Sequence, residues 1–398
     1  MQSIAKILRV KKEDVPLMNT VYFAFFVSGM MNTLIGTILP FMKAEYNMSY
    51  VLSGAVISAH QIGNFFALLI SGFLPFLIGR KKSTVMLSLG FVIGFLLMTL
   101  TGNPLFLLFA FLLTGVGRGT MSNITNVVMS DISENKTASL NLLHASFAVG
   151  AFLAPFLAIL TTSVFGVHWR ISLWTVVVLE ILVMIFFGRS TLSGKSIEKQ
   201  KDVATGFYKD KTYWLNTAIL FFYLCNEASI MGWLVTYFTD SGILSPSLAQ
   251  TTSSALWVFI LIGRLSCAYL STKLGKNMLL VLLGFFQVVF FLLMVSSKNF
   301  VFIYMSIFGF GLAMSGTYPT VLATMNPKYN ASTIAVGTAI AVATIGAIGM
   351  PIIVGAVAQQ IGIAGGLATI SIALVCMFAL ILVKYFSGKK RLKNVWEY

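Results

Sequence analysis

The run YLCNEASIMGWLVTYF, residues 223–238, is apolar apart from one carboxylate, Glu227, with Asn226 beside it. An ionised side chain at the centre of a bilayer costs roughly 2.5–3.5 kcal/mol on insertion scales, and a protonated carboxyl costs less. An acid that gains and loses a proton there has the chemistry for proton coupling. It also accepts hydrogen bonds from the hydroxyls of a polar solute. The plainer reading is a neutral acid that ties two helices together.

Arg118, in GVGRG at 115–119, poses the matching question for a cation. A guanidinium keeps its proton, so it needs an anion or several acceptors. The partners open to it are Glu180, Glu227 or a carboxylate on a solute. A structural pair within the first half, with Glu180, is the plainer alternative. His144 follows Asn141 by three residues, which places both on one helical face. Imidazole titrates near neutrality and can relay protons, or it can simply be hydrogen-bonded. His60, Gln61 and Asn64 form one polar stripe at helical spacing, and Asn123 and Asn126 form another. Amides at membrane depth need partners or water, so these stripes are either interhelix bonds or the lining of a hydrated cavity. Trp233 and Tyr237, with Trp257 further on, offer rings that stack on a sugar or pack against neighbours.

The elements that must hold these groups are transmembrane helices. The chain is 58% hydrophobic and only 10% charged, against about 25% charge in soluble domains; its mean hydropathy is +0.90. A helix needs ~20 apolar residues to cross ~30 Å of hydrocarbon. Twelve such segments are expected, near 17–41, 50–77, 84–101, 104–128, 138–162, 169–188, 212–238, 247–270, 277–297, 299–324, 331–358 and 363–386. The polar stretch Gly188–Lys211 separates two six-span halves, giving bundles at 1–188 and 212–398 with a cytoplasmic linker at 189–211. The short basic segment Met1–Asp14 reads as a cytoplasmic tail rather than a cleaved leader. Cys225, Cys267 and Cys376 fall inside apolar segments and read as packing residues.

With the N-terminus inside, the cytoplasmic segments carry all of the 27 Lys and Arg residues except Lys43, Arg170 and Lys298 outside and Arg118 and Arg264 within spans. Both termini are therefore expected in the cytoplasm. The net charge of +15 is this inside bias plus attraction to anionic lipid, not a nucleic-acid footprint. The halves also repeat. An offset of 196 relates Gly36 to Gly232, Gly79 to Gly275, Gly115 to Gly311, Gly150 to Gly346, Pro155 to Pro351 and Gly166 to Gly362. Both copies start from the same membrane side, so the repeat is parallel, an arrangement found in transporters. The matched prolines permit bends that suit rocking halves, or are static kinks.

On these features the chain resembles the major facilitator superfamily, over nearly its whole length. The superfamily's loop 2–3 motif is represented by GFLPFLIGRKK at 72–82, with Phe76 where the family has an acid, and by STKLGK at 271–276. Within the superfamily the chain is similar to the fucose–proton symporter branch, through GMMNTLIGTILP at 29–40, NLLHASFAVGA at 141–151, EASIMGW at 227–233 and GRL at 263–265. The resemblance implies a twelve-helix, all-α transporter of two pseudo-symmetric bundles, in a bacterial cell membrane. Its solute would be a small sugar or sugar derivative, moved with a proton (or sodium) by alternating access. Solute contacts would come from Asn32, Gln61, Asn64, Asn123, Asn126, Asn141, His144, Glu227 and Trp233, and proton coupling from Glu227 and His144. Asn32 stands where that branch has an acid. Arg80 and Arg264 would serve gates.

An exporter of amphipathic compounds and a passive facilitator remain open on the same fold. A membrane enzyme would need a nucleophile, an acid–base cluster or metal ligands at a membrane face, and no such constellation is present in the sequence. A sensor would add a soluble output domain, for which neither tail is long enough. No metal site, nucleotide motif or cofactor is expected, and a monomer is.

Overall fold

Hydrocarbon offers the backbone no hydrogen bonds, so each crossing segment must satisfy its own as a helix. The structure, a computed structural model, describes residues 2–190, 206–330 and 332–396, without the side chains at 2–4, 137, 268, 272, 330, 333 and 388–396. The middle of the expected linker lies outside the described residues. The long helices are α1 (Val15–Glu45), α2 (Tyr50–Ile78), α3 (Arg80–Leu100), α4 (Pro104–Ile132), α5 (Lys136–Ile159) and α6 (Arg170–Arg189), then α7 (Lys211–Asp240), α8 (Pro246–Leu274), α9 (Lys276–Ser296) and α10 (Phe300–Ala323). The next helical run, Thr333–Ala368, breaks at Ile361 and at Gly362, whose φ is 87°. It therefore supplies α11 over 333–360, and α12 starts at 363 and continues through Ile370–Trp396. Among the described residues, eleven helical stretches are long and apolar enough to cross a membrane, and the last, Ile334–Ser387, holds two crossings across this break. The twelve-helix all-α fold expected from the sequence is what forms. Some helices overrun the expected limits, as α1 does at both ends, and others stop within them, as α10 does.

The 196 repeat is legible in the backbone. Gly79 (φ 84°) and Gly275 (φ 73°) make the same left-handed break before α3 and α9, a conformation that costs glycine little. Asn103 caps α4 by accepting from the Leu105 N–H at 3.0 Å, and Asn299, 196 residues on, caps α10 by accepting from Val301 at 2.9 Å. Such caps satisfy donors that the first turn leaves orphaned.

Two compact units result. The first takes Met1–Ile197 with Ser245–Ser254; the second takes Glu198–Leu244 with Ala255–Tyr398. In the first, α2 and α3 pack on α4, α1 packs on α5, and α6 lies against α3 and α1. In the second, α7 packs on α11, α9 on α10, and α12 lies against α7 and α9. Close approach is built in at Gly115, where an added Cβ would stand 1.9 Å from the His60 carbonyl oxygen. The N-terminal segment joins the first unit: Val10 bridges Ser133, and the Ser133 hydroxyl donates to Leu8 O at 2.8 Å. Below, "inner" is a label for the side on which the N-terminus lies, that is, the start of an odd-numbered helix and the end of an even-numbered one, and "outer" is a label for the opposite side.

Candidate functional site

In the second unit, Glu227 sits near the middle of the 30-residue α7. One turn earlier, the Tyr223 hydroxyl donates to Glu227 Oε1 at 3.1 Å. The Tyr223 ring lies 5.9 Å from that of Tyr318 on α10, tilted by 49°. Arg264, exposed on α8, reaches the same place electrostatically: Tyr223 feels the charges of both Glu227 and Arg264, and Tyr318 that of Glu227. One carboxylate and two phenols thus meet from two helices, and the Arg264 guanidinium on α8 acts on Tyr223 through its charge. Such a group can accept and donate hydrogen bonds to a polyhydroxy solute and hold or release a proton at Glu227.

The aromatic residues further along α7 do otherwise. Trp233 is fully buried, and its Nε1–H donates to Pro351 O at 3.3 Å on α11. Tyr237 is equally buried and donates to Val295 O at 3.1 Å on α9. Both rings pack at helix interfaces, away from the Glu227 group. Trp257 is also buried. Asn226 is fully buried, facing Met377 of α12.

In the first unit, Arg118 on α4 places its guanidinium carbon 6.0 Å from the centre of the Phe147 ring on α5. Phe147 is 5.1 Å from Phe25 of α1, which in turn meets His144 edge-on at 5.4 Å. Arg118, His144 and two phenylalanines therefore form one chain of contacts, with exposed Asn141 a turn away from His144. The structure does not form the Arg118–Glu180 pair. Glu180 is fully buried on α6, and neither of its oxygens has a hydrogen-bond partner among the described residues. The physical reason is helix rotation: Glu180 shares its face with buried Leu173, Val176, Val177 and Val183, turned toward α1 and α3, whereas Arg118 turns toward α5.

The polar stripes divide. His60 Nδ1 and Thr114 Oγ1 are 2.9 Å apart, while the Thr114 hydroxyl donates to Phe111 O at 2.7 Å. Thr114 has one proton, so His60 Nδ1 is the donor, and His60 joins α2 to α4. Asn123 Nδ2 donates to Ser71 Oγ at 2.9 Å across the same interface. Asn126 Nδ2 donates to Ser122 O at 2.5 Å within its own helix. Gln61, Asn64 and Asn32 are half-buried, with Asn64 pressed against Gly119 beside Arg118.

Three groups escaped the sequence reading. Arg80 pairs with Asp131 at the inner end of α4, 2.7 Å away, although position 76 lacks the usual acid. At the outer ends, Glu45 accepts from Arg170 NH1 at 2.7 Å and from Trp169 Nε1 at 2.6 Å, while Arg170 Nε donates to Thr99 O at 2.8 Å. Lys384, counted among the cytoplasmic charges, is turned into the second unit. Its Nζ donates to Asn216 Oδ1 at 2.5 Å and to Thr324 Oγ1. The sequence signal for Tyr223 was its i, i+4 spacing from Glu227; for Lys384 it was a lysine still inside an apolar run.

Twelve helices in two repeated bundles, with ionisable groups at mid-depth, define a transporter of the major facilitator fold. A family model described as Major Facilitator Superfamily matches residues 21–334, and the chain belongs to that family. It is similar to "Bypass of stop codon protein 6" of Saccharomyces cerevisiae, 21% identical over 94% of this chain and 82% of that protein. Among solved structures it is similar to the nucleoside transporter NupG, with 16% identity, 95% of this chain and 99% of that one covered, and a TM-score of 0.73. A bacterial homolog of the human lysosomal transporter Spinster, inward-facing and unoccupied, matches at 12% identity over 96% and 98% of the two chains, with a TM-score of 0.76.

Proposed function

We propose that the protein is a proton-coupled secondary transporter that moves a small polar solute, a sugar or sugar derivative, by alternating access. The observation that carries this reading is the Tyr223–Glu227 hydrogen bond, 3.1 Å long in the middle of an apolar helix, with the Tyr318 ring beside Tyr223. Glu227 binds the proton and shares hydroxyl recognition with the two phenols. The nucleoside transported by one structural relative carries a sugar ring, which places nucleosides in the same solute class.

Counterflow in proteoliposomes against a panel of sugars, sugar acids and nucleosides tests this. The expected result is exchange of one class, with net uptake accelerated by an inwardly directed proton gradient. Uptake indifferent to proton and sodium gradients would make the protein a passive facilitator. Proton-driven efflux of amphipathic compounds alone would make it an exporter.

A further inference from the structure

The inner ends of α3 and α6 border a groove of about 460 Å³, lined by Lys81, Lys82, Val85, Met86, Leu89 and Gly188. The register of the two helices explains it. At their outer ends Arg170 bonds Thr99. Eighteen residues further along α6 is Gly188, and eighteen residues back along α3 is Lys81. At 1.5 Å per residue both paths run about 27 Å, nearly the depth of the hydrocarbon. Gly188 thus comes level with the lysine pair at the membrane boundary. It also leaves the gap open, since an added Cβ would meet nothing within 4 Å.

The walls are apolar and uncovered: Met86 is 49% exposed and Leu89 37%. The cations at the rim are uncommitted. Arg80 is held by Asp131, whereas Lys81, Lys82 and the exposed Arg189 next to Gly188 make no ion pair or side-chain hydrogen bond among the described residues. The other half has no equivalent. Its matching positions are Asn277, Met278 and Lys384, and Lys384 is bonded inside the bundle.

We infer that this groove binds an anionic phospholipid, with an acyl chain along Val85, Met86 and Leu89 and its phosphate between Lys81 and Lys82. Basic pockets between helices on the cytoplasmic side have the charge for such head groups. The groove's volume falls within the ~300–1,000 Å³ of small-molecule sites, enough for a head group and part of a chain.

The test titrates the purified full-length protein in detergent with dioleoyl phosphatidylglycerol or dioleoyl phosphatidylcholine and counts bound lipid by native mass spectrometry. The wild type should retain phosphatidylglycerol selectively. Lys81→Ala with Lys82→Ala should weaken that binding roughly thirtyfold, from the usual worth of two lysines at an anionic surface. Gly188→Leu, which fits the open space, should block it without changing the melting temperature. A Lys273→Ala control should retain lipid. Undiminished phosphatidylglycerol binding in both groove variants would overturn the inference, as would equal binding of phosphatidylcholine, or displacement of the lipid by millimolar inorganic phosphate.

Discussion

The two six-helix halves share a backbone and differ in where they hold charge. The first half puts ion pairs at its ends: Arg80–Asp131 at the inner end of α4 and Glu45–Arg170 at the outer end of α1. The counterparts of these residues in the second half are Lys276, Pro327, Ser241 and Gly366, and among the described residues Lys276 only donates to Ala323 O at 3.2 Å. Each half also has an acid mid-helix: in the second half Glu227 accepts from Tyr223, and its matching position in the first half is Met31, whereas the first half's Glu180 is buried with no hydrogen-bond partner among the described residues. The repeat thus conserves what the fold needs, tight glycine contacts and left-handed breaks. Charge is distributed by function and differs between copies.

The packing contrast yields the largest expected effect. Gly115→Ala forces a Cβ to within 1.9 Å of His60 O, a rigid backbone atom, whereas Gly311→Ala first meets the Phe259 Cβ at 2.9 Å. Overpacking of this kind costs about 1–3 kcal/mol or more. Gly115→Ala should lower the melting temperature and the yield sharply, and Gly311→Ala clearly less; equal losses would remove the difference between the interfaces. Next comes Lys384. Lys384→Ala leaves the buried Asn216 carbonyl with only the long bond from the Thr324 hydroxyl, 3.4 Å, at about 1–3 kcal/mol, read as a lower melting temperature. Lys384→Arg should fail to rescue it, because the larger guanidinium does not fit an ammonium's place between Asn216 and Thr324. Smallest is the inner ion pair, partly open to solvent. A double-mutant cycle on Arg80→Ala and Asp131→Ala should give a coupling of about 0.5–1 kcal/mol that falls with salt, and Lys276→Ala should give less than either single variant.

The fold was legible because burial in lipid forces apolar runs of fixed length and because glycines and prolines mark the repeat. Only the break between α11 and α12 was needed to separate the last two crossings, and Gly362, partner of Gly166, announced it. Glu227 was legible as a candidate, since a lone carboxylate in an apolar run is conspicuous. Tyr318 was not, because tyrosine is common in such helices and its approach depends on how α10 is placed. Of the partners open to Arg118, Glu180 is the one the structure does not join to it, because spacing along one helix does not reveal the rotation of another. Trp233 looked like a stacking ring, yet the Pro351 carbonyl on α11 claims its N–H. Lys384 looked like a tail charge because a lysine near a helix end is read as leaving the membrane, and only packing shows that it turns inward.

The central claim is that coupling resides in the second half, at Glu227. It is tested most directly by Glu227→Gln in proteoliposomes, measuring solute counterflow and proton-gradient-driven uptake side by side against wild type. The account predicts that counterflow persists, because the amide still pairs with Tyr223, while uptake driven by the proton gradient is lost. Gradient-driven uptake at the wild-type rate in Glu227→Gln would contradict it.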